Sequence, residues 1–114
     1  MLYDIDFLES ISFVVYYGSQ GGKYDPHRDS SLHGYRTKDR KISGIVMLSD
    51  PDDYEGGKLK IDHEGSLNPE TFADVELEKG DIVFFDSNFS HFVEPVTKGI
   101  RKVLVFWAWG DYKI

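Results

Sequence analysis

The chain has 114 residues, with 13 Lys and Arg against 20 Asp and Glu, a formal net charge of −7 and no cysteine. This length predicts a single domain over residues 1–114, with its core over about residues 12–109. The acidic balance argues against nucleic acid or an anionic membrane surface as the main partner, and the lack of cysteine excludes disulfides, thiolate metal sites and a cysteine nucleophile.

The N-terminal residues and the apolar runs bear on the location of the protein. Met1–Asp6 carries two acidic residues where a signal peptide would be basic. The longest apolar runs, such as residues 11–17 and 103–109, are far shorter than the roughly 20 residues that a membrane-crossing helix needs. We therefore expect a cytoplasmic protein.

Short segments with alternating polar and apolar residues, rich in β-branched and aromatic side chains, follow one another along the chain. Turn-forming groups such as Gly21-Gly22, Asp50–Asp53 and Lys98-Gly99 separate them. In chain order, the pattern predicts eight strands: Ser12–Tyr17, Tyr24–Asp29, Ile42–Ser49, Lys58–Asp62, Asp74–Leu77, Asp81–Asp86, His91–Val96 and Arg101–Trp109.

These eight short strands predict an all-β fold with little helix. Antiparallel strands with long crossing connections suit a jelly roll, also called a double-stranded β-helix, in which two sheets enclose a pocket. An immunoglobulin-like sandwich is the alternative architecture. Because no helix is predicted to cover the edge strands, a homodimer that pairs exposed edges is also expected.

The segment from Arg28 to Lys41 is the one basic stretch of the chain. Its five basic and two acidic residues give it a local charge of +3, against −10 for the remainder. We predict a surface loop here, which either is solvated and mobile or acts as a lid over the substrate. As a lid, it would steer an anionic substrate to the pocket through Arg36, Lys38 and Arg40.

Three residues have the types and spacing of a metal site. His27 and Asp29 are two positions apart in a predicted strand, so their side chains point to the same side, and His91 begins the seventh predicted strand. Two histidines and one carboxylate form the ligand set of non-heme Fe(II) oxygenases. Arg101, in the last strand, would bind the distal carboxylate of 2-oxoglutarate. Alternatively, the three residues are unrelated and Arg101 forms a salt bridge at the rim.

Five motifs occur in order along the chain: Tyr17-Gly18, Tyr24–Asp29, Met47–Leu59, Lys79–Asp81 and His91–Arg101. Together they resemble the iron- and 2-oxoglutarate-dependent dioxygenases of the prolyl 4-hydroxylase superfamily, and most closely the PKHD-type hydroxylases. The resemblance runs from about Ser12 to Trp109. It implies a jelly-roll enzyme over nearly the whole chain.

The resemblance also implies a set of site residues. The iron ligands would be His27, Asp29 and His91, and Arg101 would be the partner of the distal 2-oxoglutarate carboxylate. The implied reaction consumes 2-oxoglutarate and O2, hydroxylates a C–H bond of a peptidyl (prolyl-type) or small-molecule substrate, and releases succinate and CO2. Fe(II) is the implied metal, with ascorbate sustaining activity.

Further co-substrate contacts are implied for Tyr17 and Ser43. The segment before His27 is one residue longer than the family pattern, so Tyr16 is the alternative to Tyr17, and either tyrosine could instead be a core aromatic. Trp107 shares a face of the last strand with Arg101 and is predicted to line the core.

Two other classes of function stay open from the sequence. One is a jelly-roll module that binds a peptide or a carbohydrate without turnover. The other is a cupin-type sugar epimerase on the same architecture. The epimerase predicts no tight Fe(II) requirement and no role for Arg101.

Overall fold

The computed structural model describes residues 5–30 and 38–111, and most of these residues lie in strands. Three single-turn 3-10 helices, Gly18–Gln20, Pro51–Asp53 and Pro69–Thr71, lie in the connections, and no helix in the described ranges could cross a membrane. The strands are β1 Ile5–Leu8, β2 Ser12–Tyr17, β3 Tyr24–His27, β4 Lys38–Met47, β5 Tyr54–Gly56, β6 Leu59–Ile61, β7 Ala73–Val75, β8 Ile82–Asp86, β9 His91–Val93 and β10 Val96–Asp111.

Each of the eight predicted strands has a counterpart, and β2 has the predicted ends. The sequence pattern does not predict β1 or β5, because both are short and pair only along part of the long strand β10. The main correction concerns β4, which begins at Lys38 rather than at Ile42. Residues 38–41 therefore belong to a strand and not to the predicted basic loop.

Two antiparallel sheets form the predicted jelly roll. The larger sheet has the order β1-β10-β4-β8, and β2 and β5 pair with other parts of β10. The smaller sheet has the order β3-β9-β6-β7. The 16 residues of β10 thus connect most of the larger sheet.

The core lies between the two sheets. On β10, Arg101 and Val103 are 2% and 1% exposed, whereas Lys102 between them is exposed, which confirms the predicted alternation in this strand. The buried apolar cluster consists of Tyr16, Ile45, Met47, Leu59, Ile61, Phe85, Val93, Val96 and Val103. A buried cation, Arg101, therefore lies at the edge of an apolar core.

Gly99 lets β10 pass close to the 3-10 helix Pro51–Asp53. Its φ is +76°, and an added Cβ would collide with the carbonyl oxygen of Asp53. Gly80 also has a positive φ, +91°, but a Cβ there would meet nothing within 4 Å. Gly99 is therefore required both for its positive φ and for lack of space, whereas Gly80 is required for its positive φ alone.

Gly99→Ala is expected to lower the free energy of unfolding by about 3 kcal/mol, because backbone strain and a clash with fixed backbone add together. Gly80→Ala should lower it by only about 1 kcal/mol, the cost of a left-handed conformation for an L-residue. Urea denaturation followed by circular dichroism measures both. Equal losses in the two variants would contradict the close packing at Gly99.

Candidate active site

His27, Asp29 and His91 lie together in the structure. His27 ends β3 and pairs across the sheet with His91, the first residue of β9. Asp29 follows β3, and its backbone N–H donates to the carbonyl oxygen of Ser87 in the turn after β8. One candidate ligand atom from each of the three residues lies within 4.8 Å of the other two.

Backbone carbonyl groups set the orientation of both imidazole rings. Nδ1 of His27 lies 2.7 Å from the carbonyl oxygen of Asp25, and Nδ1 of His91 lies 3.0 Å from that of Phe89. Because a carbonyl oxygen only accepts, each Nδ1 carries a proton, which leaves each Nε2 as the ring atom that could bind a metal ion. These Nε2 atoms lie 3.2 and 3.5 Å from Oδ1 of Asp29.

The separations of these atoms suit one divalent ion. Ligand atoms at right angles around an ion, with bonds of about 2.1 Å, lie about 3 Å apart. Burial lowers the pKa of His91, which favours the neutral ring that a metal needs. Two imidazole nitrogens and one carboxylate oxygen therefore fit the ligand set of a non-heme iron site.

The second carboxylate oxygen of Asp29 is held away from the histidines. Ser43 Oγ donates to Oδ2 at 2.6 Å, and Trp107 Nε1 donates to the same atom at 2.9 Å. Burial acts to raise the pKa of Asp29, but the contacts with His27 and His91 and these two hydrogen bonds outweigh it and lower that pKa to about 2. The carboxylate is thus ionised at neutral pH and directs Oδ1 to the histidines.

Arg101 is a buried cation without an anionic partner among residues 5–30 and 38–111. Its Nε has no hydrogen-bond partner, and no described carboxylate forms an ion pair with its guanidinium. The guanidinium carbon lies 5.2 Å from the ring centre of Tyr16. A buried charge without a partner is strongly destabilising, so this position fits an anionic ligand.

Two cavities lie beside the candidate metal ligands and Arg101, and Leu59 lines both of them. The first, of about 80 Å³, is lined by the three candidate metal ligands together with Tyr16, Ser43 and Leu59, among others. The second, of about 490 Å³, is lined by Arg101 and again by Leu59. Arg101 does not line the first cavity, and Tyr16 connects the two by its contact with the guanidinium.

β2 directs Tyr16, and not Tyr17, toward Arg101. Tyr16 pairs across the sheet with Arg101 and Tyr17 pairs with Ile100, and residues paired in this way share a face. Tyr16 is 7% exposed, whereas Tyr17 is 43% exposed. The position beside Arg101, expected for Tyr17, therefore belongs to Tyr16.

The structure also corrects the expectations for the basic segment. Lys38 forms ion pairs with Asp6 and Asp111. Arg40 forms a forked ion pair with Glu9, and its guanidinium lies over the ring of Trp107. Both side chains have partners within the chain and lie on β4, so their predicted place in a loop is wrong, and their contact with substrate stays a prediction. The third predicted substrate contact, Arg36, lies outside the described residues.

Two contributions to the site are not predicted from the sequence. Ser87 is fully buried and its Oγ lies 2.9 Å from Oγ of Ser43, yet in the sequence it is only part of an Asp-Ser-Asn turn. Trp107 lies in the cavity lining as predicted, but its N–H also reaches Asp29. Neither contact follows from strand periodicity, because both depend on how distant strands meet.

Known protein sequences resemble this chain over most of its length. A profile of the 2OG-Fe(II) oxygenase superfamily matches residues 11–109. PKHD-type hydroxylases of Maricaulis maris and Pseudomonas aeruginosa are 39% and 37% identical over 88 and 92 residues. Each match covers 77% of this chain but only 37% and 38% of the relative. The chain thus spans less than two fifths of the length of these relatives.

Solved structures share the fold. A prolyl-4-hydroxylase of Pseudomonas putida superposes with a TM-score of 0.68 at 25% identity, covering 96% of this chain and 55% of that one. A prolyl hydroxylase of Trichoplax adhaerens, solved with a peptide fragment of hypoxia inducible factor, gives a TM-score of 0.74 at 19% identity. That match covers 95% of this chain and 46% of the other.

Proposed function

The chain belongs to the 2OG-Fe(II) oxygenase superfamily, and from this premise we propose that it is an Fe(II)- and 2-oxoglutarate-dependent dioxygenase that hydroxylates a C–H bond. One observation carries the proposal: two imidazole nitrogens and one carboxylate oxygen converge in a cavity next to a buried arginine that has no anionic partner. The metal ligands would be His27, Asp29 and His91, and Arg101 would bind the distal carboxylate of 2-oxoglutarate.

The reaction couples two oxidations to the reduction of one O2. Bound iron would supply the redox centre for it. Oxidative decarboxylation of 2-oxoglutarate to succinate and CO2 provides two electrons, and the substrate C–H bond provides the other two. One oxygen atom of O2 enters succinate and the other enters the new hydroxyl group.

The residues of the chain contribute orientation and shielding. The carbonyl contacts at Nδ1 hold both imidazole rings, and the donors to Oδ2 hold the carboxylate of Asp29. Apolar side chains such as Leu59 and Val93 line the same cavity and reduce the access of water. The site needs no general base with a shifted pKa, since no proton transfer by a side chain is required.

We propose a peptidyl, prolyl-type substrate within this reaction class. Its support is the naming of the similar proteins as PKHD-type or prolyl hydroxylases. An exposed aromatic side chain also borders the site, since Tyr24 is half exposed and stacks on His27 with ring centres 4.0 Å apart. An aromatic surface of this kind suits the side chains of an extended peptide.

Succinate release tests the proposed function. The chain is incubated with Fe(II), ascorbate, 2-oxoglutarate and proline-containing peptides, and succinate and hydroxylated peptide are measured by mass spectrometry. We expect succinate formation that requires both iron and 2-oxoglutarate. A background rate in every mixture would instead favour the non-catalytic binding module, and turnover of a sugar without 2-oxoglutarate would favour the epimerase.

The adjacent residues Tyr16 and Tyr17 provide a test variant and a control variant for the contact with 2-oxoglutarate. Burial raises the pKa of Tyr16, so its hydroxyl stays protonated and can donate to a carboxylate beside Arg101. Tyr16→Phe is expected to raise the KM for 2-oxoglutarate about tenfold, the effect of one lost hydrogen bond to a charged group. Tyr17→Phe should leave it unchanged. An equal KM in both variants would exclude Tyr16 from the co-substrate site.

The homodimer and the cytoplasmic location stay predictions. Apolar side chains on the outer face of the larger sheet, including Phe13, Ile82 and Phe84, are more than half exposed and lend support to self-association. Light scattering of the purified chain measures the mass directly. A monomer at all concentrations would contradict the predicted dimer.

A further inference from the structure

We infer that Trp107 is a positioning residue for Asp29 and that the Glu9–Arg40 ion pair holds the indole ring in place. The inference rests on the proposed function, since the orientation of Asp29 matters there as that of a metal ligand. It assigns Arg40 to the support of the metal centre, where the basic composition of its segment suggested contact with a substrate. Arg40 lies on β4 and Trp107 on β10, whereas Glu9 follows β1 and Asp29 follows β3.

Trp107 is hydrogen-bonded to Asp29. The indole Nε1 donates to Oδ2 at 2.9 Å, and Ser43 donates to the same oxygen at 2.6 Å. With both donors in place, Oδ2 is not free to join Oδ1 on a metal ion. Asp29 would thereby bind a metal ion through one oxygen, and with the two histidines it would leave positions open for co-substrate and O2.

Arg40 contacts the face of the Trp107 indole ring and fixes its plane. The guanidinium carbon of Arg40 lies 3.8 Å from the ring centre of Trp107. Its Nε and Nη2 donate to the two carboxylate oxygens of Glu9 at 2.8 and 2.9 Å, and Trp109 Nε1 donates to one of them at 2.7 Å. A cation over an indole face is attracted to the ring, so the clamped guanidinium sets the direction of the N–H.

A β-bulge places Arg40 on this face. Opposite β10, Ala108 pairs with Ile42 but Trp109 pairs with Arg40, so Lys41 is the extra residue of β4. Strict alternation from the inward-facing Ser43 would direct Lys41, and not Arg40, to the side of Trp107. Because a bulge re-aims one side chain, the stack of Arg40 on Trp107 depends on this register shift.

Metal affinity tests the inference without turnover. The metal-free chain is titrated with Co²⁺ by calorimetry, and the visible absorption of bound Co²⁺ is recorded. Trp107→Phe should weaken binding about tenfold, as loss of an outer-shell partner does. Arg40→Met should weaken it about two- to fivefold, the worth of a partly exposed cation–π contact. Both variants should change the Co²⁺ spectrum, since Oδ2 loses the Trp107 donor in the first variant and that donor is no longer fixed in the second.

The sign of the Arg40→Met effect separates positioning from simple electrostatics. Removal of a positive charge near a divalent cation strengthens binding by Coulomb's law, so weaker binding requires a positioning role. Lys102→Met removes the same charge from the exposed face of β10 and serves as the control, with unchanged affinity expected. Circular dichroism checks that each variant folds, and Arg40→Met, at a partly exposed position, keeps the test valid if Trp107→Phe does not fold.

The Co²⁺ titrations separate a failure of the positioning role from a failure of the proposed metal site. Unchanged or tighter Co²⁺ binding by Arg40→Met, with the spectrum of the unaltered chain, would overturn the positioning role alone. Failure of the unaltered chain to bind Co²⁺ at all would overturn the proposed metal site and the inference with it. Weaker binding and altered spectra in both variants would support the inference.

Discussion

Replacing His91 by alanine is expected to abolish iron-dependent succinate formation and to weaken Co²⁺ binding by more than about 100-fold. Loss of an outer-shell partner already costs about 10–100-fold in metal affinity, and His91 would be one of only three protein ligands. Its side chain is 7% exposed and its Nε2 lies 3.5 Å from Oδ1 of Asp29. Calorimetric titration with Co²⁺ and the succinate assay measure the two effects.

His63→Ala is the matched control for this variant. His63 lies in an exposed turn, where its nearest charged partner is Glu64 at 3.6 Å. It shares no contact with the candidate metal ligands among the interactions of the described residues. We expect normal metal binding and turnover, so an equal loss in both variants would mean that the His91 effect is not specific to the site.

Replacing Arg101 by methionine is expected to have two opposite effects. The KM for 2-oxoglutarate should rise by about 100-fold or more, because a forked, charge-assisted pair with a carboxylate is lost. Without ligand, however, the variant should be more stable than the unaltered chain by about 1–3 kcal/mol. Methionine removes a buried charge whose Nε has no partner and fills a similar volume.

Thermal unfolding without 2-oxoglutarate measures the change in stability that the replacement of Arg101 causes. Unfolding with 2-oxoglutarate shows whether the ligand still binds. The unaltered chain should gain stability from the ligand, whereas Arg101→Met should not, since a ligand stabilises only a state that binds it. Arg101→Lys, which keeps the charge but loses the planar fork, should lie between the two in KM. An unchanged KM in Arg101→Met would contradict its assignment to 2-oxoglutarate.

Much of the candidate site could be predicted from local sequence patterns. His27 and Asp29 are two positions apart, which predicted side chains on one side, and the structure brings them together with His91 although β3 ends at His27. The alternation of β10 likewise predicted that Arg101 faces inward. The inward position of Arg101 depends on the period of a single strand, whereas Asp29 lies after β3 and its N–H is held by the carbonyl oxygen of Ser87.

The alternation of residues within one strand does not predict side-chain positions that depend on pairing with neighbouring strands. Tyr16 and Tyr17 are adjacent aromatics, and only the pairing of β2 with β10 places Tyr16 beside Arg101. The bulge in β4 turns Arg40 toward Trp107, a contact that the pattern of its own segment does not predict. Register and bulges arise from contacts across the sheet, which a pattern within one segment does not contain.

The sequence by itself determined the all-β class, the candidate metal ligands at residues 27, 29 and 91, and an inward-facing arginine on the last strand. Composition and strand period are sufficient for these, because they act within a few consecutive residues. Tertiary structure alone decided that Oδ2 of Asp29 is held by Ser43 and Trp107 while Oδ1 faces the histidines. Those donors lie 14 and 78 positions from Asp29 in the chain, and only the closure of the two sheets brings them within hydrogen-bond distance.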